Sequence, residues 1–493
     1  MKSRARYDHL GRTSLPKAIR CGEVLISLNR ETGTPLRVQL ERALRVAIQT
    51  GRLTSGSFLP STRVLAAELG TSRGLVVEAY EQLLAEGYVC SRRGSCTHVA
   101  DRPTNGQVQD SQPEVLISPR HDFRPGRPDH SLFPRRAWLS ALRRALATAP
   151  SAALDYPDGR GAAPARAALA AYLNRSRATA AHADRILICT GFAQGMRLVC
   201  EILKARGVRR IAVEDPGHAY ESADVRASSL EMVSVPVDDN GVCLENLVRL
   251  KVGAVYVTPA HQYPNGSVLS AARRTALLAW AAKRDVFVIE DDYDGEYRYD
   301  REPIGALQGL SPERVIYIGS ASKILAPALR IGWVLSPQSL IQDLNQAKLD
   351  ADRGSSVTDQ LALAEFIERG DLDRHLRRTR LIYSHKRAQL AAALYTHMPA
   401  YPIRGVAAGL HLTVELPRGA DETAIVAESA RRGIYVHGLS AYRSQPGLGQ
   451  PALLLGYCRL PEREINESAR ALAAVVGSFE RHFAARDTAK NRI

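Results

Sequence analysis

At 493 residues the chain is longer than one ordinary domain and can bury a large core. Its 45% hydrophobic and 24% charged residues exclude a disordered or fibrous protein, and no apolar run is long enough to cross a bilayer. The formal net charge is +15, and the first hundred residues hold 15 Lys and Arg against 8 Asp and Glu. This excess suits a phosphate-binding surface, and charge alone also allows a solvated basic tail.

Two features predict the compartment. The N-terminus carries basic residues with no apolar stretch behind them, so we do not expect a secretory signal or a membrane anchor. The seven cysteines are scattered, odd in number and never spaced as C-x-x-C. This pattern argues against a disulfide framework or a metal site and predicts a cytoplasmic protein.

The first two predicted helices lie before residue 71. In PLRVQLERALRVAIQTG the apolar residues recur at helical spacing, and Gly51 ends the helix. LPSTRVLAAELG predicts a shorter helix, with Ser61 or Thr62 as its N-terminal cap and Gly70 at its end.

A third helix and a hairpin follow. Ser72 is the expected cap of the helix in SRGLVVEAYEQLLAEG, which ends at Gly87. Its predicted apolar stripe is Val76, Ala79, Tyr80, Leu83 and Leu84. The second and third helices form a helix-turn-helix, and YVCSRRGSCTHV predicts a β-hairpin wing, in which Arg92 and Arg93 reach phosphates or the minor groove.

This order resembles the winged helix-turn-helix of the GntR class over about residues 34 to 99. The resemblance implies a double-stranded operator DNA as partner, contacted by Arg63, Ser72 and Arg73, with Gly94 bringing the wing tip close to the backbone. The family's wing usually reads G-x-G-T, whereas Cys96 stands at the second glycine here.

Composition then divides the chain. We expect the winged helix-turn-helix domain over 34–100, a Pro-, Asp-, Gln- and Ser-rich linker over 101–120, and a large α/β domain over 121–485. In the last, Ala-rich helical stretches separate short apolar runs such as RILICTG, RIAVED, GAVYVTP, VFVIEDD and RVIYIGS. This alternation predicts a mostly parallel sheet covered on both faces, with ligands at the carboxyl ends of its strands.

The residues after the last two runs predict a cofactor site. A buried or crowded lysine in general has a lowered pKa and can attack an aldehyde to form a Schiff base, and Lys323 is the candidate here. Ser320, Ser322 and Arg330 suit a phosphate. An acid of VIEDD pairs with a pyridinium nitrogen, which completes a site for pyridoxal 5'-phosphate (PLP), although a helix cap or a metal ligand also explains such acids singly.

With this set in view, residues 121 to about 484 resemble the fold-type I aminotransferases, including a small C-terminal α+β subdomain. The whole chain resembles the MocR/GabR-type regulators, in which a GntR-like head is fused to that domain. The further matching stretches are DFRPGRPDHSLFPRRAW, YPDGRGAAPARAALAAYL, TGFAQGM, EDPGHAY and TPAHQYPNG.

The resemblance implies a role for each residue of the set. Lys323 is the Schiff-base lysine, and Asp291 holds the pyridinium proton. Tyr293 hydrogen-bonds the ring's phenolic oxygen, and His218 stacks on the ring face. The implied phosphate ligands are Ser320, Ser322, Arg330, the loop at Ala193 and Gln194, and Tyr156 of a neighbouring subunit, which implies a homodimer.

Two departures bear on activity. Tyr263 of YPNG stands where aminotransferases carry a cofactor-binding asparagine, and Leu454 of PALLLGYCRL stands where many carry the arginine that holds the substrate carboxylate. Arg443 is a nearby substitute as an effector-binding residue. We therefore expect a DNA-binding transcription regulator that senses PLP or an amino compound through Lys323, and the alternative is an active PLP-dependent aminotransferase.

Overall fold

The computed structural model describes residues 19–21, 24–91, 96–101, 119–156, 158–218, 229–300 and 304–490, without the side chains of 19–25 and 480–490. The chain divides into two compact units, Met1–Leu116 and Ile117–Ile493. In these described ranges no helix combines the length and the apolar character that a bilayer crossing needs. Residues 102–118 of the predicted linker lie outside the described residues.

The first unit contains the three predicted helices. Its elements are β1 Ile19–Cys21, β2 Val24–Ile26, α1 Leu36–Gln49, α2 Thr62–Leu69, α3 Arg73–Ala85, β3 Val89–Cys90 and β4 His98–Val99. The predicted caps are confirmed, because the hydroxyls of Ser61 and Ser72 each accept the backbone N–H three residues on at 3.3 Å. Gly70 takes the left-handed conformation with φ +61°, which glycine adopts without strain.

The helices of this unit bury the predicted stripes, with one exception. Leu40 and Leu44 of α1 pack with Val76 and Leu83 of α3 in one apolar cluster. Leu84 is 43% exposed, so its assignment to the buried stripe was wrong. It follows Leu83 directly and is turned about 100° from it around the helix axis, which places it beyond the buried face.

The predicted wing has two paired arms. β3 and β4 are antiparallel, with Val89 opposite Val99 and Cys90 opposite His98. Cys96 is exposed. The tip, with Arg92, Arg93 and Gly94, lies outside the described residues.

The second unit is built on an eight-stranded sheet. Its strands are β6 Ile186–Cys189, β7 Arg210–Asp215, β8 Glu231–Asp238, β9 Gly241–Val242, β10 Ala254–Val257, β11 Phe287–Asp291, β12 Val315–Ser320 and β13 Gly332–Leu335. Their order is β6-β13-β12-β11-β10-β7-β8-β9. All run parallel except β13 and β9, which confirms a mostly parallel sheet. The five apolar runs of the sequence form five of these strands, and each is buried over most of its length.

Helices separate and cover these strands. They are α4 Arg135–Thr148, α5 Ala163–Arg177, α6 Phe192–Ala205, α7 Leu244–Leu247, α8 Ala271–Arg284, α9 Ala321–Ile324, α10 Ile341–Asp352, α11 Val357–Glu368 and α12 Asp371–His397. Separate apolar clusters pack against the sheet: α6 and α10 contribute to one, and α8 contributes to another. The sheet is therefore covered on both faces, as predicted.

A smaller α+β subdomain follows α12. It comprises β14 Ile403–Arg404, β15 His411–Glu415, α13 Glu422–Arg431, β16 Ile434–Tyr435, β17 His437–Gly438, β18 Ala452–Gly456 and α14 Ile465–Lys490. An antiparallel sheet of order β14-β15-β18-β17 forms its centre. β16 pairs with β5 His121–Asp122, so the start of the second unit belongs to this subdomain.

Candidate cofactor site and nucleic-acid interface

The sheet topology brings five loops to one edge. Because β6, β7, β10, β11 and β12 are parallel, their carboxyl ends meet at the same edge. β13 is antiparallel and starts there, with Gly332 opposite both Ser320 and Cys189. Arg330, two residues before β13, is thereby placed beside the loop that follows β6.

The three acidic residues at the end of β11 have different partners because their side chains point in different directions. Successive side chains of a strand point to opposite faces, so Asp291 departs from its neighbours. Glu290 accepts the backbone N–H groups of the segment at 307–308, and Asp292 accepts from Arg177 Nε at 2.6 Å. Asp291 instead accepts from the hydroxyl of Tyr256 on β10 at 2.6 Å.

Asp291 is buried and poised to meet a cation. Burial raises the pKa of its carboxyl to about 6, although the Tyr256 hydrogen bond and the charge of His218 act in the opposite direction. A buried carboxylate with a raised pKa gains free energy when a positive charge is placed against it. A carboxyl with these properties suits a pyridinium nitrogen.

Lys323 lies directly beyond the end of β12, in α9. Its Nζ donates to the carbonyl of Gly126 at 2.6 Å. Gly126 has φ +66°, and a Cβ added there would lie 3.4 Å from that Nζ. The FRPGRPD segment thus approaches the amine closely with bare backbone.

A guanidinium and a helix N-terminus meet at the phosphate end of the predicted site. Arg330 Nη2 donates to the carbonyl of Thr190 at 2.6 Å, and a Cβ on Gly191 would lie 3.1 Å from its guanidinium. α6 begins at Phe192, so Ala193 and Gln194 lie in its first turn rather than in a loop before it. The N–H groups of this turn suit an anion.

The side chain of Gln194 is already hydrogen-bonded, and the two predicted serines lie in or next to α9. The side-chain oxygen Oε1 of Gln194 accepts from the backbone N–H and the hydroxyl of Thr190 at 2.8 and 3.0 Å. Its side-chain Nε2 donates to Asp352 at 2.7 Å. Ser320 is buried at the end of β12, and Ser322 is half-buried in α9. The side-chain amide of Gln194 is therefore engaged, and its backbone N–H is the group that suits an anion.

An aromatic cluster lies at the end of the predicted cofactor site away from Arg330. The ring of Tyr263 lies 5.7 Å from that of His218 and 5.6 Å from that of Tyr293. The Tyr293 hydroxyl and the Asp294 carboxylate both lie 2.9 Å from Nδ1 of His261. Tyr263, at the usual asparagine position, therefore packs against both the predicted stacking residue and the predicted phenol.

Leu454 fills the position of the usual carboxylate-binding arginine. It is fully buried on β18 and belongs to one apolar cluster with Tyr263 and Tyr442. No guanidinium occupies this place, so the described pocket lacks the bidentate donor that an α-carboxylate requires there.

Two predicted residues line cavities whose linings do not include Lys323 or Asp291. Tyr156 is 83% exposed and lines a cavity of about 650 Å³ between α4, α5 and α11, whose lining does not include Lys323 or Asp291. Arg443 donates to the carbonyl of Gln450 at 3.1 Å and lines a second cavity.

In the first unit the predicted DNA contacts lie together. Arg63, Ser72 and Arg73 are exposed in the first turns of α2 and α3. The hydroxyl of Thr62, which precedes Arg63, accepts from Arg73 Nε at 3.4 Å. The two arginines therefore flank one edge of the unit, at the N-terminal end of the helix that enters the major groove in helix-turn-helix proteins.

The described groups fit PLP. An amine, a buried carboxylate with a raised pKa, and a guanidinium beside helix N–H groups provide partners for its aldehyde, its ring nitrogen and its phosphate. The glycines at 126 and 191 leave room for such a ligand, because a Cβ there would approach Lys323 or Arg330.

Comparisons with known proteins agree with this arrangement. Residues 126–470 match the family Aminotransferase class I and II, and residues 36–99 match Bacterial regulatory proteins, gntR family. The uncharacterized HTH-type transcriptional regulator YdeL of Bacillus subtilis is 32% identical over 458 residues, covering 91% of this chain and 98% of YdeL. The HTH-type pyridoxine biosynthesis transcriptional regulator PdxR of Corynebacterium glutamicum is 33% identical over 421 residues, covering 85% of this chain and 91% of PdxR.

A solved structure gives the same result for the larger unit. Kynurenine aminotransferase of Pyrococcus horikoshii, in complex with PMP, is similar with a TM-score of 0.66 and 26% identity, over 72% of this chain and 90% of that one. The fold and the site thus define a class I and II aminotransferase domain that follows a gntR-family DNA-binding domain. The chain belongs to the MocR/GabR-type transcriptional regulators, which depend on PLP, and the predicted resemblance is confirmed.

Sequence reasoning missed two partners in the site. Tyr256, on the neighbouring strand, hydrogen-bonds to Asp291. Gly126, in a loop about two hundred residues earlier in the chain, hydrogen-bonds to Lys323. The tyrosine in the otherwise aliphatic run GAVYVTP was a usable signal, because its strand neighbours the strand that carries the acid. Gly126 gave none beyond its place in a matching motif.

The raised pKa of Asp291 predicts a pH dependence. The cofactor-free carboxyl is protonated below about pH 6 and ionised above it, and only the ionised form pairs with a pyridinium. We expect the affinity for pyridoxamine phosphate, which has no aldehyde, to fall as the pH is lowered through about 6. Asp291→Asn should reduce this dependence to the part that comes from the ligand's phosphate, whose second pKa is also about 6. It should weaken binding at least about tenfold at pH 8, since a charge-assisted hydrogen bond is lost.

Calorimetric titration at several pH values measures both effects. Asp285→Asn, at an exposed acid that ends α8, is the matched control and should leave the profile unchanged. An Asp291→Asn profile identical to that of the unmodified protein would show that another group governs the titration.

Proposed function

We propose that this regulator is a homodimer that senses PLP, or an amino compound bound through PLP, by covalent attachment at Lys323, and that this attachment changes its binding to an operator DNA. The observation that carries the proposal is the Lys323 amine at 2.6 Å from Gly126, at the same sheet edge as the buried Asp291. The same chain exposes Arg63 and Arg73 on a gntR-family domain.

In this proposal each residue at the sheet edge has one task. When bound, PLP supplies an aldehyde open to a primary amine and a ring nitrogen that takes up a proton. Lys323 provides the amine, and the Gly126 carbonyl orients it. Asp291 holds the ring proton, and Tyr256 fixes the orientation of that carboxylate.

The remaining residues hold the two ends of the ligand. Arg330, Ser320, Ser322 and the N–H groups of Ala193 and Gln194 bind the phosphate. His218 covers the ring face, and the Tyr293 hydroxyl donates to the phenolic oxygen. The exposed Tyr156 reaches the phosphate of the partner subunit, which makes the site a product of the homodimer.

The DNA-binding role is assigned to the first turns of α2 and α3. Arg63, Ser72 and Arg73 contact the operator, and Arg92, Arg93 and Gly94 extend the contact through the wing. The similarity to PdxR, whose name ties it to pyridoxine biosynthesis, favours a form of vitamin B6 as the sensed compound.

The alternative function is that of an active PLP-dependent aminotransferase. Leu454 argues against it, because an apolar, fully buried side chain occupies the usual place of the carboxylate-binding arginine. The alternative predicts repeated turnover of an amino donor with a keto acid, and no operator.

One experiment separates the two functions. Binding of the full-length protein to the DNA upstream of its own gene is measured by fluorescence anisotropy against competitor DNA, with and without PLP, and transamination is assayed on the same preparation. We expect a sequence-specific complex whose affinity changes with PLP. Steady transamination without specific DNA binding under any condition would establish the enzyme instead.

A further inference from the structure

A second cavity, with a polar lining, lies in the larger unit. It has a volume of about 460 Å³ and is lined by the C-terminal subdomain on one side and by the segments after β8 and β10 on the other. This volume falls in the range of small-molecule sites, which is about 300–1,000 Å³. Its polar lining includes Asp239, Asn265, Ser267, Arg404, Arg443 and Gln450.

An apolar cluster separates this cavity from the cofactor residues. Leu439 and Ala452 line the cavity and belong to the cluster that contains Leu454 and Tyr263. Tyr263 in turn contacts His218 on the cofactor side, with 5.7 Å between ring centroids. A ligand in the cavity therefore does not touch Lys323, yet it packs against the layer that touches the predicted cofactor contacts.

One buried hydroxyl in the cavity wall has no partner. Ser267 is 7% exposed, and its Oγ makes no hydrogen bond to any residue that the structure describes. A buried polar atom without a partner costs free energy, and such atoms in native proteins point to a bound molecule or an ordered water.

Among the charged side chains that line the cavity, one cation and one anion have no ion-pair partner in the described part of the chain. Arg404 pairs with Glu415 at 2.8 Å, and Asp238 pairs with Arg273. In the described part of the chain, Arg443 and Asp239 make no ion pair; Arg443 donates only to a backbone carbonyl. The hydrogen bond and the charge of Glu415 raise the pKa of Arg404, and the charge of Asp239 adds a smaller contribution in the same direction.

The chain holds Arg443 in place by a close glycine turn. Gly449 has φ +86°, and a Cβ there would lie 2.5 Å from Nη1 of Arg443. The turn wraps the guanidinium with bare backbone. It therefore fixes the side chain at the cavity wall with little loss of entropy on ligand binding.

We propose that this cavity binds a free α-amino acid, without covalent attachment and independently of Lys323. Arg443 holds its carboxylate, Asp239 holds its ammonium group, and Asn265 lies beside them in the same wall. Such a zwitterion bridges the end of β8 and the C-terminal subdomain, so it stabilises one arrangement of the two. The chain then has two ligand-binding sites, one at Lys323 and one in this cavity.

The test uses the full-length Lys323→Ala chain, which removes covalent chemistry at the cofactor site. Calorimetric titrations are made with L-alanine, L-serine and L-glutamine, and with propionate and propylamine as analogues that carry one charge each. We expect saturable binding of at least one amino acid. Both single-charge analogues should bind at least about tenfold more weakly, because each forgoes a charge-assisted contact.

Variants of the cavity locate the binding. Arg443→Ala and Asp239→Asn should each weaken it at least about tenfold. Gly449→Ala, which leaves every charge in place, should weaken it by displacing Arg443. Arg418→Ala, at an exposed arginine outside the cavity, is the matched control and should leave it unchanged.

Three results would overturn the inference: no saturable binding of any of the three amino acids, equal binding of propionate or propylamine, or binding that Arg443→Ala leaves intact. Failure here is distinguishable from failure of the proposed function, which is read from DNA binding of the unmodified protein with PLP alone.

Discussion

Lys323→Ala should abolish covalent attachment of PLP and weaken its binding at least about 100-fold. The bond to the amine is lost, while the proposed contacts of Arg330 and Asp291 would remain and hold the ligand only by hydrogen bonds and charge. Borohydride reduction followed by mass spectrometry measures the attachment, and titration of the absorbance band measures the affinity. The PLP response of DNA binding should disappear together with the attachment.

The control is another lysine of the same unit. Lys283 is exposed in the last turn of α8, and Lys283→Ala should keep full attachment. A reduced pyridoxyl adduct on the Lys323→Ala chain, or an unchanged PLP response of its DNA binding, would refute the role of Lys323.

The double variant Arg63→Ala, Arg73→Ala should lose at least about 30-fold in operator affinity, since each contact to a base or phosphate is worth about 1–3 kcal/mol. Both side chains are exposed in first turns, so their removal leaves the buried cluster of the head intact. The thermal unfolding midpoint should therefore not change. Fluorescence anisotropy at two salt concentrations measures the loss and a shallower salt dependence.

Arg42→Ala is the matched control, because Arg42 is exposed on α1, outside the helix-turn-helix. It should change operator affinity far less than the double variant. Equal losses from both proteins would mean that the head binds DNA through its overall charge and not through the first turns of α2 and α3.

Local patterns predicted the elements that short-range physics controls. Caps at Ser61 and Ser72 and the stop at Gly70 follow from hydrogen bonds and backbone conformation within a few residues. The five apolar runs became buried strands because each has the length and composition of one. The prediction that Leu84 is buried was wrong, because packing against the other helices decides where the buried face of a helix ends.

The residues proposed for the cofactor site could be selected from the sequence as a set, whereas their contacts could not. The sequence alone determined the order of the two domains, the sheet, and the lysine, acid and arginine that follow its strands. Only the tertiary structure decided that Asp291 faces Tyr256, that Lys323 meets Gly126, and that Arg443 lines a cavity apart from both. The reason is distance along the chain: such contacts form when strands and subdomains pack, and no local pattern carries that information.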